Sequence, residues 1–369
     1  MRENGCPEEE LFSFLAARKA DDIGHEFILS SMCTVPHPVA VRAHDLFMIA
    51  NLGDPGLFPG ASRLEQLLIE RIGTLLHLPG ACGYATSGGT ESNIQALRIA
   101  RARKTGGKPN VVVPASAHFS FKKACDLLSL EMKPVPLDRE FRMDATLAAE
   151  AIDRNTCCLV GVAGTTEYGM VDPIGELSRI AHDYDVHFHV DAAFGGLVLP
   201  FLPREIPFDF GLPGVASIAV DPHKMGMSTI PCGCLLVRDP EMMCALSIDT
   251  PYLTVKQEFT LSGTRPGGPV AGAFAVLEYL GCEGMRALVA GCMENTRRLL
   301  EGLPTFGIEK AVTPDVNVAT FAPFPVPERW HVSTTRNGHI RIVCMPHVNR
   351  NMIEAFIREI GELHAGTAG

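Results

Sequence analysis

The sequence predicts an α/β protein: a mostly parallel sheet with helices on both faces, followed by a smaller carboxy-terminal α+β domain. Two observations predict it. Between about residues 83 and 237, short β-branched or apolar runs alternate with helical segments, and strands separated by helices pair in parallel through right-handed crossovers. After Thr264 the alternation stops, and one long Ala/Gly-rich helical stretch leads into short strands and a last helix. A chain of 369 residues, 46% hydrophobic with 35 Gly, suits one large compact unit plus a smaller one, and not a disordered or fibrous protein.

The elements follow in order. Glu8 to Ala20, Val39 to Ala50 and Ser62 to Leu78 read as helices, with the Gly/Pro-rich loop from Asn51 to Gly60 before the third. Then come a strand at Gly83 to Thr86, a helix at Thr90 to Arg103, a strand at Asn110 to Val113, a helix after Phe119 and a strand at Met132 to Val135. A helix at Ala145 to Ile152, a strand at Cys158 to Val162 and a helix at Ile174 to Tyr184 continue the pattern. Strands at Val186 to Val190, Val215 to Val220 and Gly233 to Val237 complete the sheet. The long helix ends near Leu303, and strands at Val316 to Phe321, Trp330 to Thr334 and Ile340 to Val343 precede a helix from Asn351. The expected division is an amino-terminal helical segment (1–60), a large α/β domain (61–270) and a small α+β domain (271–369).

Charge and cysteine usage exclude several classes. A net charge of −10 argues against a nucleic-acid surface, which needs clustered Lys and Arg, and the cluster at Arg101 to Lys104 offsets a helix dipole. The 12 cysteines are scattered through apolar segments, so reduced thiols are expected; Cys232 and Cys234 lack partners at zinc-binding spacing, and no metal site is expected. No apolar run reaches the roughly 18 residues that span a bilayer, and no signal-peptide pattern is present, so a soluble, cytoplasmic protein is expected.

Three segments carry chemistry. Thr86-Ser-Gly-Gly-Thr-Glu-Ser-Asn93 lies between a strand and a helix, where free N–H groups and glycines can accept an anion such as phosphate, although the same residues also make ordinary helix caps. His187-Phe-His-Val-Asp191 is a strand ending in an aspartate, at the strand end where open α/β sheets bind ligands. An ionised Asp191 there can pair with a pyridinium nitrogen or simply cap the next segment. Ser217-Ile-Ala-Val-Asp-Pro-His-Lys224 brings a lysine out of a buried run, where burial lowers its pKa, as an imine-forming amine requires; a solvated loop lysine is the alternative.

Taken in order, the anion loop, His118, Asp191 and His223-Lys224 resemble the fold-type I pyridoxal 5′-phosphate (PLP) enzymes, and the Pro-His-Lys tripeptide resembles their group II amino-acid decarboxylases. The resemblance is closer still to the archaeal L-tyrosine/L-aspartate decarboxylases. It rests on Ser30 to Thr34 with Pro36-His37, Asn51 to Gly56, Gly88 to Glu91, Ala163 to Glu167, Asp221 to Lys224, Thr250 to Thr254, Ser262 to Arg265 and Arg341 to His347, and so covers nearly the whole chain.

The resemblance implies PLP as cofactor, with Lys224 bonded to it as a Schiff base, Asp191 on its ring nitrogen, His118 stacked on one ring face and Ala193 on the other. It implies phosphate contacts from Gly89 and Thr90, with Ser217 and His223 close by and Thr264 reaching over from a neighbouring subunit of a homodimer. Tyr252 is the candidate donor of a proton to Cα, with a packing role equally open. Arg341 and His37 are candidate substrate contacts; an in-plane grip on the α-carboxylate by Arg341 would favour transamination, and His37 also suits helix-start packing. The implied reaction converts L-tyrosine to tyramine, which feeds methanofuran synthesis, or L-aspartate to β-alanine, which feeds coenzyme A. The rivals are an aminotransferase or carbon–carbon lyase on the same fold, and a non-enzymatic PLP-binding protein.

Overall fold

The computed structural model describes residues 1–104 and 106–367. Three helices open the chain: α1 (Glu8–Lys19), α2 (Pro38–Leu46) and α3 (Pro59–Leu75). The sheet region runs β1 (Cys82–Thr86), α4 (Gly89–Ala102), β2 (Asn110–Pro114), α5 (Ser120–Leu128), β3 (Glu131–Val135), α6 (Ala145–Ala151), β4 (Thr156–Val162), α7 (Ile174–Asp183), β5 (His187–Asp191), β6 (Val215–Val220) and β7 (Gly233–Val237). After α8 (Glu241–Cys244) and the short hairpin β8 (Ile248–Asp249) and β9 (Gln257–Glu258) comes α9 (Gly267–Gly302), which breaks at Gly281. Strands β10 (Val318–Phe321), β11 (Ser333–Thr334) and β12 (Ile340–Val343) and helix α10 (Arg350–Thr367) end the fold.

The large sheet has seven strands in the order β1-β7-β6-β5-β4-β2-β3. Strands β3, β2, β4, β5 and β6 pair in parallel, and β7 runs antiparallel to both β6 and β1. Every residue of β4, β5 and β6 is buried, which is why these strands read as continuous apolar runs: helices cover both faces. The pairing gathers the carboxyl ends of β1, β4, β5 and β6 along one edge, where an open α/β sheet presents loops to a ligand.

The smaller antiparallel sheet, β10-β12-β11, shares one continuous apolar cluster with the large one, in which Phe188 and Val220 are joined through Phe321, Trp330 and Phe356. The extended stretch after His25 is stitched to this sheet: Leu29 donates to the His331 carbonyl and accepts from the Val343 amide, each at 2.8 to 2.9 Å. That contact leads Ser30 to Thr34 towards the edge of the large sheet.

The strand expected over Trp330 to Thr334 is confined to Ser333–Thr334. Trp330 serves packing instead, with its indole N–H donating to Glu359 at 2.9 Å and its ring edge-on to Phe356. The β8–β9 hairpin was not expected, because two-residue strands carry no periodic signal.

Candidate active site

Helix α4 starts directly after β1, on the tight Ser87-Gly88-Gly89 turn. Gly88 has φ 143°, a backbone conformation that side chains resist, and a Cβ on it would lie 3.1 Å from Cε1 of His223. A Cβ on Gly89 would lie 2.9 Å from that of Ala193. Side chains take up the start of this turn, with Glu91 Oε2 accepting from the Ser87 N–H at 2.8 Å and Thr86 Oγ1 from the Gly88 N–H at 3.3 Å, while Gly88 itself has no side chain to cap the helix. Its first-turn N–H groups border a cleft of about 260 Å³, together with Ser116, His118, Asp191, Ala193, His223 and Lys224.

Asp191 ends β5 and is 6% exposed. Its Oδ2 accepts from the Asn93 side-chain amide at 2.9 Å, and its Oδ1 accepts from the Ala193 backbone N–H at 3.1 Å. Both partners are neutral, so no charged group is hydrogen-bonded to it among the described residues.

Asp221, just beyond β6, is 2% exposed, and its Oδ2 lies 3.0 Å from the Lys224 ammonium. Its Oδ1 is buried without a hydrogen-bond partner among the described residues, as is the Ser116 hydroxyl. The sequence led us to expect a Lys224 pKa depressed by burial. Burial does act in that direction, but the carboxylates of Asp221 and then Asp191 outweigh it, and the net shift is upward.

His118 has its ring tilted against Phe119, and its Nδ1 accepts from the Ser120 N–H at 3.2 Å. Burial lowers its pKa, with Asp191 acting in the opposite direction. His223 has Nδ1 2.5 Å from the Cys232 carbonyl and Nε2 3.8 Å from Asp221.

The other sequence candidates lie outside this cleft. Ser217 is buried on β6, with its hydroxyl 2.8 Å from His187 Nε2 and 2.8 Å from His189 Nδ1. Thr264 is exposed, beside the buried ion pair of Arg265 with Glu65. Tyr252 is 86% exposed at the tip of a loop that Thr254 ties to Asp54. His37 caps α2, accepting from the Val39 N–H at 3.2 Å, and its ring packs near Tyr279. Arg341 on β12 donates to Ser333 Oγ, the Thr166 carbonyl and the Ser30 carbonyl at 2.8, 2.8 and 2.6 Å. Burial lowers its pKa, and no carboxylate is hydrogen-bonded to it.

Three residues the sequence reading passed over belong here. Asp221 was legible as the residue one helical step before Lys224. Asn93 closed the anion-loop motif, but its contact with Asp191 depends on how α4 crosses β5. Cys33 arrives with the amino-terminal stretch close enough for Lys224 and Asp221 to act on its thiol, whose pKa burial raises.

Residues 56–319 match the family model described as the pyridoxal-dependent decarboxylase conserved domain. The chain belongs to the pyridoxal-dependent decarboxylases. Their cofactor is pyridoxal 5′-phosphate and their reaction is the decarboxylation of an amino acid. This decarboxylase is similar to a Methanoregula boonei protein named "Probable L-tyrosine/L-aspartate decarboxylase", 66% identical over 99% of this chain and 100% of the relative. A Methanoculleus marisnigri protein of the same name is 67% identical over 99% and 100%. Among solved structures, the sphingosine-1-phosphate lyase of Burkholderia pseudomallei is 29% identical with a TM-score of 0.89, over 98% of this chain and 91% of that one. A Lactobacillus brevis glutamate decarboxylase, at 21% identity, has the same fold, with a TM-score of 0.90 over 98% and 93%.

Proposed function

We propose that this decarboxylase removes the α-carboxylate of L-tyrosine, L-aspartate or both, leaving tyramine or β-alanine, in the cleft at the strand ends. The observation that carries this reading is the presence of Lys224 and Asp191 in one cleft with the glycine turn that starts α4. The names of the archaeal relatives support the two substrates.

The residues present fit PLP. The glycine turn, which a Cβ would fill, suits the phosphate, with Gly89, Thr90 and His223 around it. Ala193 leaves space for a flat ring opposite His118. The unpartnered Asp221 oxygen, an acceptor, and the Ser116 hydroxyl, which can also donate, are left over for a bound group. We assign the ring nitrogen to Asp191 and the aldehyde carbon to Lys224. When bound, PLP supplies a conjugated ring that takes up the electron pair of the breaking bond between Cα and the carboxylate.

The chain's own groups supply the rest. Asp191 holds a proton on the ring nitrogen. Val162, Ala193 and Phe194 are the apolar side chains of an otherwise polar cleft lining, and a carboxylate held against them is less stable than neutral CO₂. Burial keeps His118 neutral at pH 7, so it stacks without adding a charge. Arg341 fixes Thr166 at the cleft wall, with the Glu167 carboxylate acting on its charge, and is a candidate contact for a substrate carboxylate. Ser217 acts behind Asp191 and not on the phosphate. Tyr252 and Thr264 sit on the open surface of the single chain, as groups contributed across a homodimer interface would. Exposed Phe12, Phe14, Leu46, Met48 and Ile49 support such an interface. The cell compartment is the cytoplasm, where the amine product would enter methanofuran or coenzyme A synthesis. No helix among the described residues is long and apolar enough to cross a membrane.

The test is CO₂ release by the purified, PLP-loaded protein under reducing conditions from L-tyrosine and L-aspartate offered separately, with the amine identified. Tyramine or β-alanine is the expected product. Cofactor-loaded protein that releases CO₂ from neither substrate overturns the assignment.

A further inference from the structure

Three alternate residues of β5, His187, His189 and Asp191, share one face of the strand because side chains repeat every second residue. The reaction as described uses only Asp191. The two histidines are nevertheless buried, His189 completely and His187 at the wall of a second cleft, and they are joined to Asp191. Ser217 lies directly opposite His189 in the parallel pairing of β5 with β6, which puts its hydroxyl between the two rings. On the other side, His189 Nε2 lies 2.9 Å from Asn93 Oδ1, and Asn93 Nδ2 lies 2.9 Å from Asp191 Oδ2.

The direction of each hydrogen bond follows from one residue. Asn93 Nδ2 gives its two hydrogens to Asp191 and to Ser120 Oγ, each at 2.9 Å, so its Oδ1 must face His189. The reverse orientation would turn an amide oxygen onto a carboxylate. His189 therefore carries its proton on Nε2, and its Nδ1 accepts from the Ser217 hydroxyl. Ser217 in turn accepts from the Nε2–H of His187. The line ends on His187 Nδ1, and that atom is buried without a partner among the described residues. An orphaned acceptor is tolerated more readily than an orphaned N–H, so this polarity is also the cheaper one.

We infer that Asn93, His189, Ser217 and His187 are positioning residues: an aligned relay of neutral donors, all pointing toward Asp191, that fixes its carboxylate in place for the cofactor's ring nitrogen. The inference rests on the assignment of that nitrogen to Asp191. Neutral donors suit the task because an imidazolium in the same place would cancel the charge the site needs. Burial agrees, lowering the pKa of His187 to about 3 and that of His189 to about 4.

Two readouts test it on the full chain. Nitrogen-15 NMR of histidine side chains, with and without PLP, assigned through His187→Gln and His189→Gln, should find both rings as single Nε2–H tautomers at pH 7. An Nδ1–H tautomer or an imidazolium at either ring overturns the relay. Equilibrium binding of PLP is the second readout. Ser217→Ala and His187→Phe should each weaken it about tenfold, as the loss of a buried hydrogen bond in line with a charge implies, while His187→Gln, which keeps a donor at the Nε2 position, should restore most of it. If Asp191→Ala weakens PLP binding and Ser217→Ala does not, the relay is wrong while the site assignment stands. If Asp191→Ala binds PLP like the parent protein, the site assignment itself is wrong.

Discussion

Two buried aspartates at the strand ends, Asp191 and Asp221, are partnered in opposite ways. Asp191 accepts from neutral donors on both oxygens. Asp221 faces a lysine ammonium with one oxygen and has no partner on the other. Burial alone would penalise both charges equally, so the partner's charge separates their roles. A carboxylate satisfied by neutral groups keeps its full field for an incoming cation. A carboxylate tied to a lysine spends that field holding the lysine protonated and in place.

Removing the lysine breaks this contrast most severely. Lys224→Ala should lower CO₂ release by at least about 10³-fold, because the group that bonds the cofactor is gone. It should also abolish the cofactor's absorbance band. A variant that keeps both signals would mean that the cleft is not the reaction site.

Removing Asp221 tests the other half. In Asp221→Ala a buried ammonium loses its nearest counter-charge, a change that typically costs about 3 kcal/mol when an ion pair is enclosed. The Lys224 pKa should then fall, because only Asp191 and, more weakly, Cys33 are left to oppose burial. Labelling of the cofactor-free protein with an amine-directed reagent at pH 8 should speed up at Lys224. Asp191→Asn should change that labelling rate much less, since Asp221 contributes more to the lysine's shift than Asp191 does. Equal effects from the two variants would erase the distinction between the aspartates.

The same contrast explains how much the sequence revealed. Strand ends are visible in a sequence, and so Asp191 and Lys224 were legible, as was the glycine turn before α4. Asp221 stands three residues before Lys224, but only the turn after β6 brings its carboxylate onto the lysine. Ser217 was placed near the phosphate because resemblance supplied no sheet order. Only the pairing of β6 beside β5 puts its hydroxyl between two histidines. The alternation in His187-Phe-His-Val-Asp191 was on the page, yet α4 crossing above that face decides that the histidines join Asp191 through Asn93. Exposed loops carry no such pattern, and Tyr252 and Thr264 could not be placed by any periodicity.

The relay side of the contrast makes a prediction about acid stability. His187 and His189 have folded-state pKa values near 3 and 4 because burial disfavours their charged forms, against about 6.5 for an unfolded histidine. The unfolded chain therefore binds more protons below pH 6.5. The stabilisation from keeping these rings neutral is complete above that pH and is lost as pH falls from about 6.5 through 4. Between pH 7.5 and 4.5 each ring should account for about 2 to 3 kcal/mol of lost stability. His187→Gln should remove its share, seen as a shallower fall of melting temperature with pH. An unchanged slope in that variant would show that His187 titrates normally.

The smallest effect concerns the unpartnered groups on the cleft side. The Ser116 hydroxyl is buried with no partner among the described residues, so without cofactor it contributes only the cost of its own desolvation. Ser116→Ala should therefore leave the cofactor-free protein within about 0.5 kcal/mol of the parent, or slightly more stable. If the hydroxyl is held in reserve for a bound group, as the free oxygen of Asp221 is, the same variant should weaken PLP binding by about threefold to tenfold. Ser217→Ala should differ in the cofactor-free protein: besides its roughly tenfold weaker PLP binding, it should lose stability without PLP, because two histidines lose their shared partner. Measuring both variants by melting temperature without PLP and by PLP affinity separates a polar group awaiting a ligand from one already committed to the protein.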